Sequence, residues 1–166
     1  MCPYQEKITT STSDSCRSGA PSVERERLRV SVVTDTYPPE LNGVSLSLAR
    51  AVDYLRGRGH KVEVLRPRQS ADGKKPNAHD DVLLPGMGLP LYAGVQFGFP
   101  AMRRLKKRWL AQRPNVVHVA TEGPLGWSAL HAARALGIPV TSDYRTHFNR
   151  YSGYYGVAWL ARPIDA

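Results

Sequence analysis

LRVSVVTDTYPPELNGVSLSLARAVDYLRGRGHKVEVLRP, residues 28–67, runs from one apolar segment to another through a loop and an amphipathic stretch. LRVSVVT is a β-branched apolar run of the kind found in a strand buried on both faces of a parallel sheet. In VSLSLARAVDYLRGRGH, Leu48, Val52 and Leu55 fall at i, i+4 and i+7. That spacing predicts a helix with one buried face, ended by Gly57 and Gly59. KVEVLRP then reads as a second strand. A strand, a helix and a strand at this spacing specify a βαβ unit and a parallel sheet.

The pattern continues downstream. RQSADGKKPNAHD is a polar, hairpin-like stretch ahead of a short third strand, DVLLP. Residues 82–102 carry no charge and approach the length of a membrane span, but Pro85, Pro90 and Pro100 with Gly86, Gly88, Gly94 and Gly98 break any helix there. The expectation is a long loop lying against the protein. A basic helix from about Pro100 to Gln112 comes next, then a strand in NVVHVA, an exit loop TEGPLG, a helix in GWSALHAARALG and a fifth strand in IPVTSDY. FNRYSGYYGVAWL places aromatic residues at 148, 151, 155 and 159, a spacing that fits helix core packing. Residues 1–27, rich in Ser, Thr and charge, read as a disordered arm. The fold class is therefore α/β, a doubly wound, Rossmann-like parallel sheet. Ligands of such sheets bind outside the carboxyl ends of the strands, which directs attention to the loops after strands one, four and five.

Composition narrows the function classes. The chain has 166 residues, 42% of them hydrophobic and 22% charged, enough apolar material for a real core. Its 23 Lys and Arg against 14 Asp and Glu give a formal net charge of +9. Cys2 and Cys16 are the only cysteines and both lie in the polar arm, which excludes a disulfide scaffold, a CxxC pair and a cysteine zinc site. The arm has no apolar block and is not a secretory signal, so the expected compartment is a reducing cytoplasm. No metal-ligand cluster and no cofactor motif is present.

The first strand-end loop, TDTYPPELNG, lacks both GxGxxG and GxxxxGK[ST]. It retains Asn42 and Gly43 at a helix N-terminus, where a residue without Cβ lets a phosphate or sugar approach free backbone N–H groups. The same dipeptide is also ordinary turn chemistry feeding a helix. Asp35, at the end of the first strand, points toward the cleft mouth or forms an Asx turn. Thr121 and Glu122 lie in the fourth loop, with Glu122 either at an acceptor cleft or simply stabilised by the helix N-terminus behind it. His118 is read as a packed strand residue. Arg103, Arg104, Lys106, Lys107 and Arg108 crowd one short helix with Leu105, Trp109 and Leu110. This suits anionic lipid headgroups, and equally a solvated helix face. Nucleic acid is not expected, because the aromatic residues cluster away from this helix.

Several of these segments, in order and spacing, resemble family 4 (group 1) glycosyltransferases, retaining enzymes of the GT-B fold. They are the stretch from TDTYPPELNGV to GHKVEVLRP, PNVVHVATEGPLG (114–126), ARALGIPV (133–140) and YSGYYGVAWL (151–160). Within the family the chain is most similar to the GDP-mannose-dependent mannosyltransferases and sulfoquinovosyltransferases that make glycolipids. The resemblance implies transfer of a sugar from a nucleotide-sugar donor to a lipid or glycan hydroxyl, in a cleft between two Rossmann-like domains. It places Gly43 beside the donor phosphates, with Asn42 shaping the loop, and gives the N-terminal domain the acceptor, so that Asp35, Thr121 and Glu122, on the functional reading of their loops, are the acceptor-side candidates. The family's YHTNF-like motif is altered here. Arg145 stands where the motif has histidine, and His147 follows two residues later. Both are candidate catalytic residues, although a solvated strand-end loop also accommodates them. Residues 28–166 would then form a truncated N-terminal domain, inactive without the donor-binding half, which is either lost by truncation or supplied as a separately encoded C-terminal half. Peripheral attachment to the inner face of a membrane is the accompanying expectation. The alternative is a non-catalytic module that binds a glycolipid, a polyanion or a partner domain.

Overall fold

The computed structural model describes residues 26–72, 81–89 and 92–143. The first strand, β1 (Arg29–Val33), leads to helix α1 (Gly43–Gly57) and strand β2 (Lys61–Pro67). A 3-10 turn at Ser70–Asp72 follows, then β3 (Asp81–Leu84), β4 (Gly86–Leu89) and β5 (Tyr92–Gly98). Helix α2 (Met102–Ala111), β6 (Val116–Val119), α3 (Pro124–Ala135) and β7 (Val140–Ser142) complete the order. Five strands form one sheet in the order β3-β2-β1-β6-β7, and every pairing in it is parallel. This is the doubly wound α/β fold expected from the sequence.

Alternation along the strands explains why both faces are covered. Val30 and Val32 of β1, with Val62 and Val64 of β2, pack with Leu48 and Val52 of α1. Val33, Leu65, Val117 and Val119 pack on the other face with Leu105 and Trp109 of α2 and Leu125, Ala129 and Ala132 of α3. The helical periodicity of α1 therefore does what its spacing predicts, with Leu55 also packed against that cluster. Asn42 caps α1, its Oδ1 accepting from the Ser45 N–H at 2.7 Å, and Gly59 (φ 85°) turns the chain after it.

Two polar networks are built into this core. Trp109 Nε1 donates to Ser31 Oγ at 3.1 Å, Ser31 donates to Glu63 Oε1 at 2.9 Å, and Arg108 Nε lies 2.7 Å from Glu63 Oε2. They hold α2 to the sheet. Arg66, fully buried, donates to Asp72 at 2.9 and 2.6 Å and reaches Asp81 at 3.3 Å, tying the 3-10 turn and β3 to β2.

One expectation is corrected. The uncharged Gly and Pro segment is not a loop but an antiparallel hairpin of β4 and β5, with Gly86 opposite Gly98 and Gly88 opposite Gln96. A Cβ on Gly86 would stand 2.5 Å from Pro67 and 2.7 Å from the Phe97 carbonyl, so glycine lets the two backbones meet. Glycine breaks helices but leaves the backbone donors and acceptors of a ladder in place, and Pro85 and Pro100 sit outside the two strands. Most of the arm, residues 1–25, lies outside the described residues, as does the aromatic segment 148–160.

Candidate functional site

Parallel pairing sets the carboxyl ends of all five strands along one edge of the sheet. The crevice opens between β1 and β6, where the helix after β1 lies on one face and the helix after β6 lies on the other. Three segments meet there: the connection from β1 to α1, the connection from β6 to α3, and the end of the β4–β5 hairpin.

Asp35 joins them. Its Oδ1 accepts the Gly98 N–H of β5 at 2.8 Å, and its Oδ2 accepts the Thr121 hydroxyl at 2.9 Å. The Asp35 N–H in turn donates to Thr121 Oγ1 at 2.8 Å. Only 7% of Asp35 is exposed, and burial pushes its carboxyl up to about 6 against the hydrogen bonds from Gly98 and Thr121. Space for the carboxylate exists because residue 123 is glycine: a Cβ there would overlap Asp35 Oδ2. A Cβ on Gly98 would stand 2.6 Å from Leu125 and 3.1 Å from Asp35 Oδ1.

The other arm of the crevice is the start of α1. Asn42, besides capping the helix, donates through Nδ2 to Thr36 Oγ1 and Glu40 Oε1, both at 2.7 Å. Ser45 donates to the Glu40 carbonyl at 2.6 Å. Burial raises the Glu40 carboxyl above the usual carboxylate range. Gly43 is exposed, and no protein atom lies within 4 Å of where its Cβ would stand. Of the first-turn N–H groups, Ser45's is taken by Asn42, and the turn is otherwise of the kind with which a helix accepts an anion.

The structure brings Asp35 and Thr121 into direct contact and sets Asn42 and Gly43 at the head of α1. Glu122 is exposed directly ahead of α3, whose first residue is Pro124. Arg145 and His147 lie outside the described residues. His118 is not packed in the apolar core: its Nδ1 is 3.0 Å from Thr141 Oγ1 and its Nε2 is 3.3 Å from Asp143 Oδ2. Sequence reasoning missed Gly98 and Gly123. The signal for Gly123 is its place directly after Thr121 and Glu122 in a strand-end loop.

On the basic helix, Arg103, Arg104 and Lys107 are exposed and Lys106 is half-buried, whereas Arg108 is held by Glu63. The first turn of α2 has no acidic residue and its cap position, Ala101, offers no side-chain acceptor. An open concavity of about 500 Å³ lies beside it, lined by Pro85, Phe99, Pro100, Met102, Arg103 and Arg104. Phe99 and Met102 are exposed apolar side chains next to these cations, and Met87 is an exposed one on β4. Among the described residues no helix is long and apolar enough to cross a membrane.

Comparison with known proteins agrees with this architecture. The family model for Glycosyltransferase Family 4 matches residues 41–165, well over half of the chain. A GDP-mannose-dependent alpha-mannosyltransferase of Mycobacterium tuberculosis is 33% identical over 146 residues, covering 84% of this chain and 38% of that protein. An alpha-monoglucosyldiacylglycerol synthase of Streptococcus pneumoniae is 26% identical over 82% of this chain and 31% of its own length. The sulfoquinovosyl transferase SQD2 of Arabidopsis thaliana is 22% identical over 91% of this chain and 30% of its own. The chain thus spans less than two fifths of the length of these curated relatives. With strand-end loops, helix starts and family model in agreement along the same residues, the chain belongs to glycosyltransferase family 4.

Proposed function

We propose that this chain is the acceptor-side, N-terminal domain of a retaining GT-B glycosyltransferase, moving a sugar from a nucleotide-sugar donor to a lipid or glycan hydroxyl. The observation that carries the reading is the start of α1: a capped helix N-terminus with an exposed Gly43, around whose absent Cβ there is room, at the carboxyl edge of a family 4 sheet. The donor diphosphate would lie against those N–H groups, where the helix dipole and unsatisfied donors favour negative charge. Thr121 and Glu122 would meet the acceptor. Arg145 and His147 are assigned to the donor sugar or phosphate, an arginine at the first position supplying a planar, charged donor set in place of a neutral imidazole. The remaining donor contacts come from a second Rossmann-like domain, carried on the same polypeptide or on another.

The test is transfer itself. The 166 residues alone, given GDP-mannose and a diacylglycerol or phospholipid acceptor, are expected to turn over negligibly, and a second family 4 domain, joined or co-expressed, is expected to restore transfer. Turnover at an ordinary enzyme rate by the isolated chain would overturn the need for a second domain. No transfer with any paired domain and any nucleotide sugar would overturn the reading.

The α2 concavity favours a lipid acceptor and attachment to an anionic membrane surface. Arg103, Arg104, Lys106 and Lys107 supply the charge, at on the order of 1 kcal/mol each near an anionic bilayer, with Phe99 and Met102 as apolar neighbours. Replacing the four cations by glutamate should abolish sedimentation with phosphatidylglycerol vesicles. Unchanged sedimentation would remove membrane attachment and leave a water-soluble glycan as the acceptor.

A further inference from the structure

Thr121 sits in an unusual hydrogen-bonding position. Its hydroxyl oxygen already accepts the Asp35 N–H at 2.8 Å, and its single proton is directed to Asp35 Oδ2 at 2.9 Å. An ionised carboxylate only accepts, so the proton of this pair must come from threonine. A hydroxyl has one donor and two acceptor sites, which leaves Thr121 with one free lone pair and no free proton. Asp35 cannot turn away, because its other oxygen holds the Gly98 N–H at 2.8 Å and its carboxylate fills the space left by the missing Cβ of Gly123. Thr121 itself is half-buried at the mouth of the crevice, on the connection next to exposed Glu122.

We propose that Asp35 is a positioning residue that fixes the polarity of Thr121, making its oxygen a hydrogen-bond acceptor for a hydroxyl of a bound polyol or sugar. The residue touching the ligand is Thr121, and Asp35 acts through it. A site of this polarity orients a hydroxyl by its proton and leaves the ligand oxygen's lone pairs free to react. An ether or ester oxygen at the same place finds no donor.

The arrangement has a built-in reversal. When Asp35 is protonated, Oδ2 donates to Thr121 and the threonine proton is released toward the crevice. Burial places that change at about 6, so the acceptor state prevails at neutral pH. Glu40, on the same connection, is the charged group that acts on Asp35 through space and raises it further. The hairpin contributes the uncharged Gly98 N–H, and the β6 connection the uncharged Thr121 hydroxyl. Asp35→Asn imitates the protonated state, its amide N–H₂ replacing the acidic proton.

The choice of a hydroxyl ligand rests on the acceptor-side reading above, but the test does not need transfer. Nuclear magnetic resonance of the 166-residue chain follows the Asp35 carboxyl carbon against pH in the native protein, Thr121→Ser and Thr121→Val. The serine variant should titrate with the native protein. The valine variant should titrate higher by about one pH unit, having lost a donor to the ionised form. An unchanged midpoint in Thr121→Val overturns the polarity lock. Two probes then read the ligand: erythritol, which donates and accepts, and its tetra-O-methyl ether, which only accepts. In the native protein erythritol should shift the Thr121 signals saturably at pH 7 while the ether does not, and in Asp35→Asn, where Thr121 donates, the ether should shift them as well. Equal responses to the two probes in the native protein, none to erythritol, or continued exclusion of the ether by Asp35→Asn overturns the assignment. Both results intact in a protein that never transfers sugar would count against the transferase reading and leave this one standing.

Discussion

At the scale of single residues, the crevice separates two glycines that look equivalent in sequence. Gly43 and Gly123 each precede or begin a helix in a strand-end loop, yet they are glycine for different reasons. At Gly123 a methyl group would overlap the Asp35 carboxylate, and at Gly43 it would meet no protein atom. Gly123→Ala should therefore lower folding stability by about 1–3 kcal/mol, the usual effect of forced overpacking. Gly43→Ala should leave stability unchanged or raise it by up to about 1 kcal/mol through the unfolded chain. Urea unfolding of the two variants checks this, and loss of transfer in a paired enzyme carrying the stable Gly43 variant would show that the space in front of α1 belongs to the ligand. The buried carboxylate adds a pH dependence. Asp35 rises from 3.8 to about 6 on folding, so folding favours its protonated form. Its contribution is fully present below about 3.8 and is lost as pH rises through about 6, a change on the order of 3 kcal/mol. Glu40, raised by burial, adds in the same direction. Stability of the native chain relative to Asp35→Asn should fall between pH 4 and 7, as measured by urea unfolding at each pH. A constant difference would show that Asp35 ionises in the folded protein as it does in the unfolded one.

At the scale of elements, α2 shows that a basic run can have two jobs divided by face. Leu105 and Trp109 are buried on the sheet, and Arg108 leans back to Glu63, while Arg103, Arg104 and Lys107 stay exposed. Trp109→Phe keeps a smaller aromatic ring and removes the donor to Ser31, which should cost about 1–3 kcal/mol, whereas Trp109→Ala should cost about 3–5 kcal/mol. Thermal unfolding distinguishes the two, and similar losses would mean that the indole hydrogen bond, not the ring, docks the helix. The strands and helices of the parallel sheet were legible because their side chains repeat: valines in β1 and β6, and Leu48, Val52 and Leu55 in α1. The β4–β5 hairpin was not, since it is carried by backbone pairing between glycines that leave no periodic side-chain signal. The candidate site was half legible. Asn42, Gly43, Asp35 and Thr121 stood out by type and loop position. The clasp among them did not, because its partners are 63 and 86 residues apart and meet only when β5, β1 and β6 converge.

At the scale of the whole molecule, one edge of the sheet carries Asp35, Asn42, Gly43 and Thr121, and that arrangement predicts how ligand binding and folding are linked. A ligand that binds only the folded state stabilises it by RT ln(1 + [L]/Kd), about 2.7 kcal/mol at a hundredfold excess over Kd. Among the described residues, the part proposed to meet the donor diphosphate is the first turn of α1 and its loop. A diphosphate held by one helix terminus alone binds weakly. GDP-mannose should therefore shift the unfolding temperature of the 166-residue chain very little. Once a second family 4 domain completes the cleft, the same ligand should raise the unfolding temperature of the α/β domain by several degrees, since about 1 kcal/mol moves a domain of this size by roughly 2–4 °C. Gly43→Ala should remove that shift while leaving the unliganded unfolding temperature in place, because the space it fills is needed by the ligand and not by the fold. A large shift in the isolated chain would mean that this domain holds the nucleotide by itself, and the division of labour proposed for the two sides of the cleft would have to be reversed.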